Sequence, residues 1–178
     1  MNIANKLTII RVVLVPFFVL FLLTSFTPYN RWIAFAIFVI ATITDKLDGT
    51  IAKKYNMVTN FGKFMDPIAD KLLVSSALIC LSAIGEIPVW VVLIIIAREF
   101  VISGIRLIAA DNGVAIAASW WGKSKTISQM AMIIIILMNI PALNILAQIV
   151  MYISVVLTIV SMIDYIVKNR SVLAMDTK

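Results

Sequence analysis

Six apolar runs follow one another along this chain, at about residues 7–26, 31–54, 66–84, 89–110, 126–138 and 143–167, with short polar breaks between them. An α-helix needs about 20 apolar residues to cross a hydrocarbon layer of about 30 Å. Open sheets and irregular chain do not survive in that layer, because every backbone N–H and C=O must find a partner inside the protein. The expected fold is therefore all-α: a polytopic membrane protein with a six-transmembrane-helix bundle over residues 1–168 and a polar tail over 169–178. The composition points the same way, with 62% hydrophobic and 13% charged residues among 178 and a mean hydropathy of +1.07, outside the soluble range. No Gly/Ser linker, repeat or low-complexity tract divides the sequence, so one compact domain is expected. The first run ends in L-L-T-S-F-T-P with no A-x-A-like cleavage site, so it is read as a retained helix rather than a signal peptide.

The net charge of +6 is spread between the apolar runs instead of forming one basic patch, which excludes nucleic acid as the partner and points to membrane orientation and anionic lipid. Lys6, Arg11, Lys53, Lys54, Lys63, Arg106, Lys123, Lys125, Lys168, Arg170 and Lys178 fall on the side of the termini, against Arg31 alone opposite. Both termini are thus expected in the cytoplasm, with the protein multi-pass in the cytoplasmic (inner) membrane. Trp32, Trp90, Trp120 and Trp121 lie near run ends, as an interfacial belt would. The single cysteine, Cys80, sits in an apolar run and permits no intrachain disulfide. The chain has no histidine, which excludes phosphohistidine chemistry, Ser-His-Asp hydrolysis and Cys-His proteolysis.

Four acids break the apolar pattern between residues 45 and 70: Asp45 and Asp48 at i, i+3, and Asp66 and Asp70 at i, i+4. Each spacing puts two carboxylates on one helix face. A carboxylate in the hydrocarbon region costs about 2.5 to 3.5 kcal/mol or more, so such groups face a bundle interior or a wet cavity. Four together imply a bound cation. Oxygen ligands without His or Cys suit Mg²⁺, Mn²⁺ or Ca²⁺ rather than zinc or copper. Gly49, Ala52 and Gly62 beside them leave room for a bulky anionic group or a close backbone.

The full spacing, D-x2-D-G-x2-A-x9-G-x3-D-x3-D, resembles the signature of the CDP-alcohol phosphotransferase family, whose Arg after the Ala is replaced here by Lys53. The replacement keeps a positive charge but loses a bidentate guanidinium. The resemblance implies one or two divalent ions, Mg²⁺ or Mn²⁺, held by Asp45, Asp48, Asp66 and Asp70, with Asp70 in the metal shell or acting as the base. It implies a CDP-lipid bordered by Asn5, Thr8, Asp48, Gly49, Ala52, Lys53, Gly62 and Asp66, and it implies a homodimer. By the residues alone, N-K-L-T-I-I-R reads as a capped helix start with Arg11 snorkelling to the interface. Asp66-Pro67 likewise reads as the start of the third helix.

A second constellation, Arg98, Arg106, Lys123 and Lys125, lies in A-R-E-F-V-I-S-G-I-R and W-W-G-K-S-K-T. Lys123 and Lys125 fit ordinary positive-inside residues, but Arg98 lies about two turns deeper than Arg106. There it needs a partner: Glu99 of a neighbouring helix, a carboxylate of the cation site, or a bound phosphate. Residues 117–124 nearly match a P-loop but lack its first glycine and a preceding strand. A helix starting at Ser124 and Lys125 would still offer backbone N–H groups to phosphate. Within the family these runs look like the branch that makes phosphatidylglycerophosphate, implying CDP-diacylglycerol and sn-glycerol 3-phosphate as substrates and an active site on the cytoplasmic side. A phosphorylated acceptor needs such a cationic site. The rival readings are another acceptor (inositol phosphate, serine or a phosphatidyl lipid) and a cation transporter.

Overall fold

A computed structural model describes the backbone of residues 3–54, 60–114, 116 and 119–170, and their side chains except at 3, 4, 46–54, 60, 61, 63 and 64. The described residues form six α-helices and one 3-10 turn, with no strand: α1 (Ile3–Leu23), α2 (Asn30–Lys54), α3 (Asn60–Ala83), α4 (Val89–Asp111), α5 (Trp120–Met138) and α6 (Asn144–Lys168), with the 3-10 turn at Pro141–Leu143. The chain divides into two compact units, Met1–Glu86 with Ile136–Asn139, and Ile87–Ile135 with Ile140–Lys178.

In the first unit α1 packs against both α2 and α3. Its buried face runs Asn5, Thr8, Arg11, Val15, Phe18, Leu22, a 3–4 spacing that keeps one stripe turned inward. That stripe is polar in its first half and apolar in its second. Ala34 and Ala41 of α2 and Ala69 and Ala77 of α3 are fully buried, and such small residues let helices approach closely where lipid gives no hydrophobic drive. Phe18 and Phe38 fill the apolar end, with ring centroids 5.9 Å apart. The turn after α1 is tied by Asn30, which accepts from the Thr27 N–H and hydroxyl at 2.8 Å and donates to the Thr24 carbonyl at 2.6 Å. Arg31 donates to the carbonyls of Leu137 at 3.1 Å and Ile136 at 2.6 Å and pairs with Glu86 at 2.8 Å. It thereby satisfies carbonyls that the end of α5 leaves without helical partners.

In the second unit α4 turns Val91, Val92, Ile95, Arg98, Ile102, Ile105 and Ala109 inward, and α6 packs on it through Met151, Ser154, Val155, Thr158, Ser161 and Tyr165. Asn139 adopts a left-handed φ of 51° and ends α5, a conformation that asparagine tolerates.

Helices α3 and α5 begin earlier than expected. Helix α3 begins at Asn60, so Pro67 lies inside it and the helix forgoes one hydrogen bond, to the Lys63 carbonyl. Packing on α1 carries it through. Helix α5 begins at Trp120 instead of Thr126, because Ser119 caps it: the Gly122 N–H donates to Ser119 Oγ at 3.2 Å and the Lys123 N–H to the Ser119 carbonyl at 3.2 Å. The backbone N–H groups of Ser124 and Lys125 are therefore within a helix and not at its start, which removes that part of the phosphate reading.

Among the described residues two helical segments, Asn5–Leu23 and Pro141–Lys168, are long and apolar enough to cross a membrane. Charged residues interrupt the apolar stretches of α2, α3 and α4. Large apolar side chains nevertheless point outward on both units, among them Ile10, Phe17, Ile40, Ile79, Phe100, Leu107, Ile145 and Val156, a surface suited to lipid. The four tryptophans are exposed in the first turns of α2, α4 and α5, as a belt requires, and Cys80 is buried as packing.

Candidate active site

The polar half of the α1 stripe meets the acids. Thr8 Oγ1 donates to Asp66 Oδ1 at 2.6 Å, and Arg11 Nη1 pairs with Asp45 Oδ1 at 2.7 Å. Thr8 and Arg11 are one turn apart on the same helix, so one acid of α2 and one of α3 are drawn to the same patch of α1. Arg11 does not snorkel: it is 1% exposed. A carboxylate directly opposite offsets part of the cost that would otherwise drive a guanidinium to the interface. Asn5 is not a cap either, because α1 begins at Ile3; it is buried on the same face as Thr8.

Asp45, Asp66 and Asp70 are half-buried and Gly62 is buried in the first turn of α3. Asp48, Gly49, Ala52 and Lys53 occupy the last turns of α2, and their side chains lie outside the described residues. Asp48 stands six residues before the last residue of α2 and Asp66 six after the first of α3. Among the described residues no three acidic, His or Cys side chains converge as a metal cage. The donor type fits a hard divalent cation: carboxylate oxygens from two helices, with Asp45 and Asp66 anchored by α1 and no nitrogen ligand available.

In the second unit the basic residues separate. Arg98 is 8% exposed and Lys125 4% exposed, and both pair with Glu99 Oε1, Arg98 Nη1 at 3.0 Å and Lys125 Nζ in close contact. The Glu99 concerned is the adjacent residue of the same helix, not a residue of a neighbouring one. Arg98 Nε donates to Ser161 Oγ at 3.2 Å. Nη2 has no hydrogen-bond partner among the described residues and lies 3.6 Å from where a side chain on Gly122 would begin. Arg106 stands about 12 Å along α4 from Arg98, with Nε donating to Tyr165 Oη at 3.2 Å and its guanidinium carbon 5.6 Å from the ring centroid. Lys123 is exposed, because two residues from Lys125 is over half a turn around a helix.

Sequence reasoning missed the inward role of Arg11 and all of the α6 contribution. The signals were present: Arg11 continues the 3–4 spacing of Thr8, Val15 and Phe18, and Ser154, Thr158, Ser161 and Tyr165 repeat at the same spacing in an otherwise apolar run. The α6 ladder is fully engaged, with Gln129 Nε2 donating to Thr158 Oγ1 at 3.1 Å and the Ser128 hydroxyl to Ser154 Oγ at 3.3 Å.

Comparison with known proteins places the chain in a family. The sequence model described as CDP-alcohol phosphatidyltransferase matches residues 1–160. A Bacillus subtilis (strain 168) relative named CDP-diacylglycerol--glycerol-3-phosphate 3-phosphatidyltransferase is 40% identical over 94% of this chain and 95% of its own. One of the same name from Rickettsia bellii (strain RML369-C) is 42% identical over 92% and 93%. A Mycobacterium tuberculosis (strain CDC 1551 / Oshkosh) relative named probable phosphatidylglycerophosphate synthase is 42% identical over 94% and 81%. With a family match over most of its length, and acids on adjacent helices held by α1, the chain belongs to the CDP-alcohol phosphatidyltransferase family.

Proposed function

We propose that this chain transfers the phosphatidyl group of CDP-diacylglycerol to a hydroxyl of sn-glycerol 3-phosphate, giving phosphatidylglycerophosphate and CMP. The observation that carries the choice of acceptor is Arg98: a guanidinium more than nine-tenths buried, with its Nη2 edge facing the small Gly122 and Lys125 alongside. A neutral acceptor gives no reason to bury two cations in an apolar helix pair. The phosphate of glycerol 3-phosphate does, and relatives at 40–42% identity carry that substrate in their names. Lys125 supplies a point charge and Arg98 a directed N–H edge. Arg106 and Lys123, set apart from this pair, serve approach and orientation.

Asp45, Asp48, Asp66 and Asp70 are the residues that would hold Mg²⁺ or Mn²⁺. A divalent cation bound there would neutralise the pyrophosphate and polarise the attacked phosphorus. The chain's own groups do the rest by position and charge, which is most of what phosphoryl transfer demands. Thr8 orients Asp66, and Arg11 holds Asp45 in place. Asn5, Gly49, Ala52, Lys53 and Gly62 border the CDP-lipid. Asp70 accepts the proton of the attacking hydroxyl as the new O–P bond forms and the bond to CMP breaks, with no covalent intermediate on the protein. The reading includes a six-span bundle in the cytoplasmic membrane, both termini and the acids on the cytoplasmic side, and a homodimer.

The test is CMP release by purified protein from CDP-diacylglycerol with a panel of acceptors. Glycerol 3-phosphate should support turnover and serine, glycerol and inositol phosphate should not. Equal use of glycerol and glycerol 3-phosphate overturns the assignment.

A further inference from the structure

Glu99 is a half-buried charged group that the mechanism above does not use, and it is the carboxylate shared by the basic pair. A single oxygen, Oε1, accepts from Arg98 Nη1 on α4 and from Lys125 Nζ on α5. Without it two cations on different helices, both more than nine-tenths buried, would lose the carboxylate they share, and like charges repel. The guanidinium is also fixed in orientation. Its Nη1 corner is held by Glu99 and its Nε corner by Ser161 Oγ at 3.2 Å. Ser161 is itself anchored, donating to the Thr158 carbonyl at 3.1 Å. A planar group tied at two corners has one free edge, and here that edge is Nη2, turned toward Gly122.

We propose that Glu99 is a positioning residue for the acceptor phosphate: it ties Arg98 and Lys125 to one point, so that the Nη2 edge of Arg98 is aimed at a single dianion beside the Lys125 charge. The proposal rests on the acceptor reading above. It gives Glu99 a role opposite to that of a competitor, since a carboxylate that merely occupied the phosphate's place would weaken binding, whereas a clamp strengthens it.

Glu99→Gln keeps the shape and a hydrogen-bonding oxygen but removes the charge, and Glu99→Asp keeps the charge on a shorter arm. The measurement is steady-state CMP release with each substrate varied in turn, alongside thermal unfolding of the purified protein with and without inorganic phosphate. A clamp predicts that Glu99→Gln raises KM for glycerol 3-phosphate at least tenfold, with the loss on KM rather than kcat and with KM for CDP-diacylglycerol unchanged. Glu99→Asp should fall between, and thermal protection by phosphate should be present in the wild type and absent in Glu99→Gln. A lower KM in Glu99→Gln overturns the clamp in favour of a competitor. An unchanged KM, or a parallel rise in both KM values with a lowered unfolding temperature, overturns it in favour of a structural tie. If Glu99→Gln does not fold, the same decision falls to Glu99→Asp, where an unchanged KM refutes the clamp. Failure of the acceptor reading looks different, because then the wild type itself does not distinguish glycerol 3-phosphate from glycerol.

Discussion

Replacing Gly122 by alanine sets fold and function against each other. A methyl group at Gly122 would lie 3.6 Å from Arg98 Nη2 and 3.6 Å from Ser119 Oγ, ordinary van der Waals contacts that require nothing to move. Gly122 is the third residue of α5, and alanine improves a helix over glycine by up to about 1 kcal/mol. Stability should therefore be unchanged or slightly higher. Binding should suffer. A phosphate oxygen bonded to a guanidinium sits about 2.8 Å from the nitrogen, while a carbon prefers about 3.5–4.0 Å from its neighbours. Methyl and oxygen cannot share the space on the Gly122 side of Nη2. Losing one hydrogen bond to a charged group costs about 1.5–3 kcal/mol, or about one to two decades in affinity. The assay is CMP release at saturating CDP-diacylglycerol with glycerol 3-phosphate varied, together with the unfolding temperature of the same preparation. The expected result is a 10- to 100-fold rise in KM for glycerol 3-phosphate at an equal or higher unfolding temperature. An unchanged KM in a protein that is as stable as the wild type refutes the placement of the phosphate at this edge.

Two further outcomes are expected. Asp45→Asn, Asp48→Asn and Asp66→Asn should each remove nearly all turnover in folded protein, chelation by EDTA should do so reversibly, and Asp70→Asn should lower turnover more than CDP-diacylglycerol binding; persistent activity in metal-free protein would refute the cation site. Arg98→Ala should raise KM for glycerol 3-phosphate by about one to two decades for the loss of contacts to a charged group, with Arg98→Lys recovering part, whereas exposed Lys123→Ala should change it less than about threefold, within the small range of surface substitutions; equal effects at the two positions would refute the division of the basic cluster.

Much of the acid centre was legible in the chain itself. Spacings of three and four between Asp45 and Asp48 and between Asp66 and Asp70 hold on any helix, so each pair shares a face wherever that helix starts. The apolar run lengths likewise fix an all-helical fold, because in lipid no other open structure satisfies the backbone. Arg11 was different. Its position near a run end fits a snorkelling residue equally well, and only the approach of α2 on α1 puts Asp45 at 2.7 Å and gives the buried guanidinium a counter-charge.

The basic cluster shows the same division most sharply. The sequence by itself determined that Arg98, Arg106, Lys123 and Lys125 are cations beside or within apolar helices, since charge and hydropathy belong to residues one at a time. Which of them act together was decided by tertiary structure. The Ser119 cap moves the start of α5 back to Trp120, and with helix through both positions Lys125 is turned in to Glu99 and Lys123 out. Likewise α6 brings Ser161 to Arg98 and Tyr165 to Arg106 from about sixty residues away. No local spacing encodes a contact of that range, because it depends on which faces of two helices bury each other.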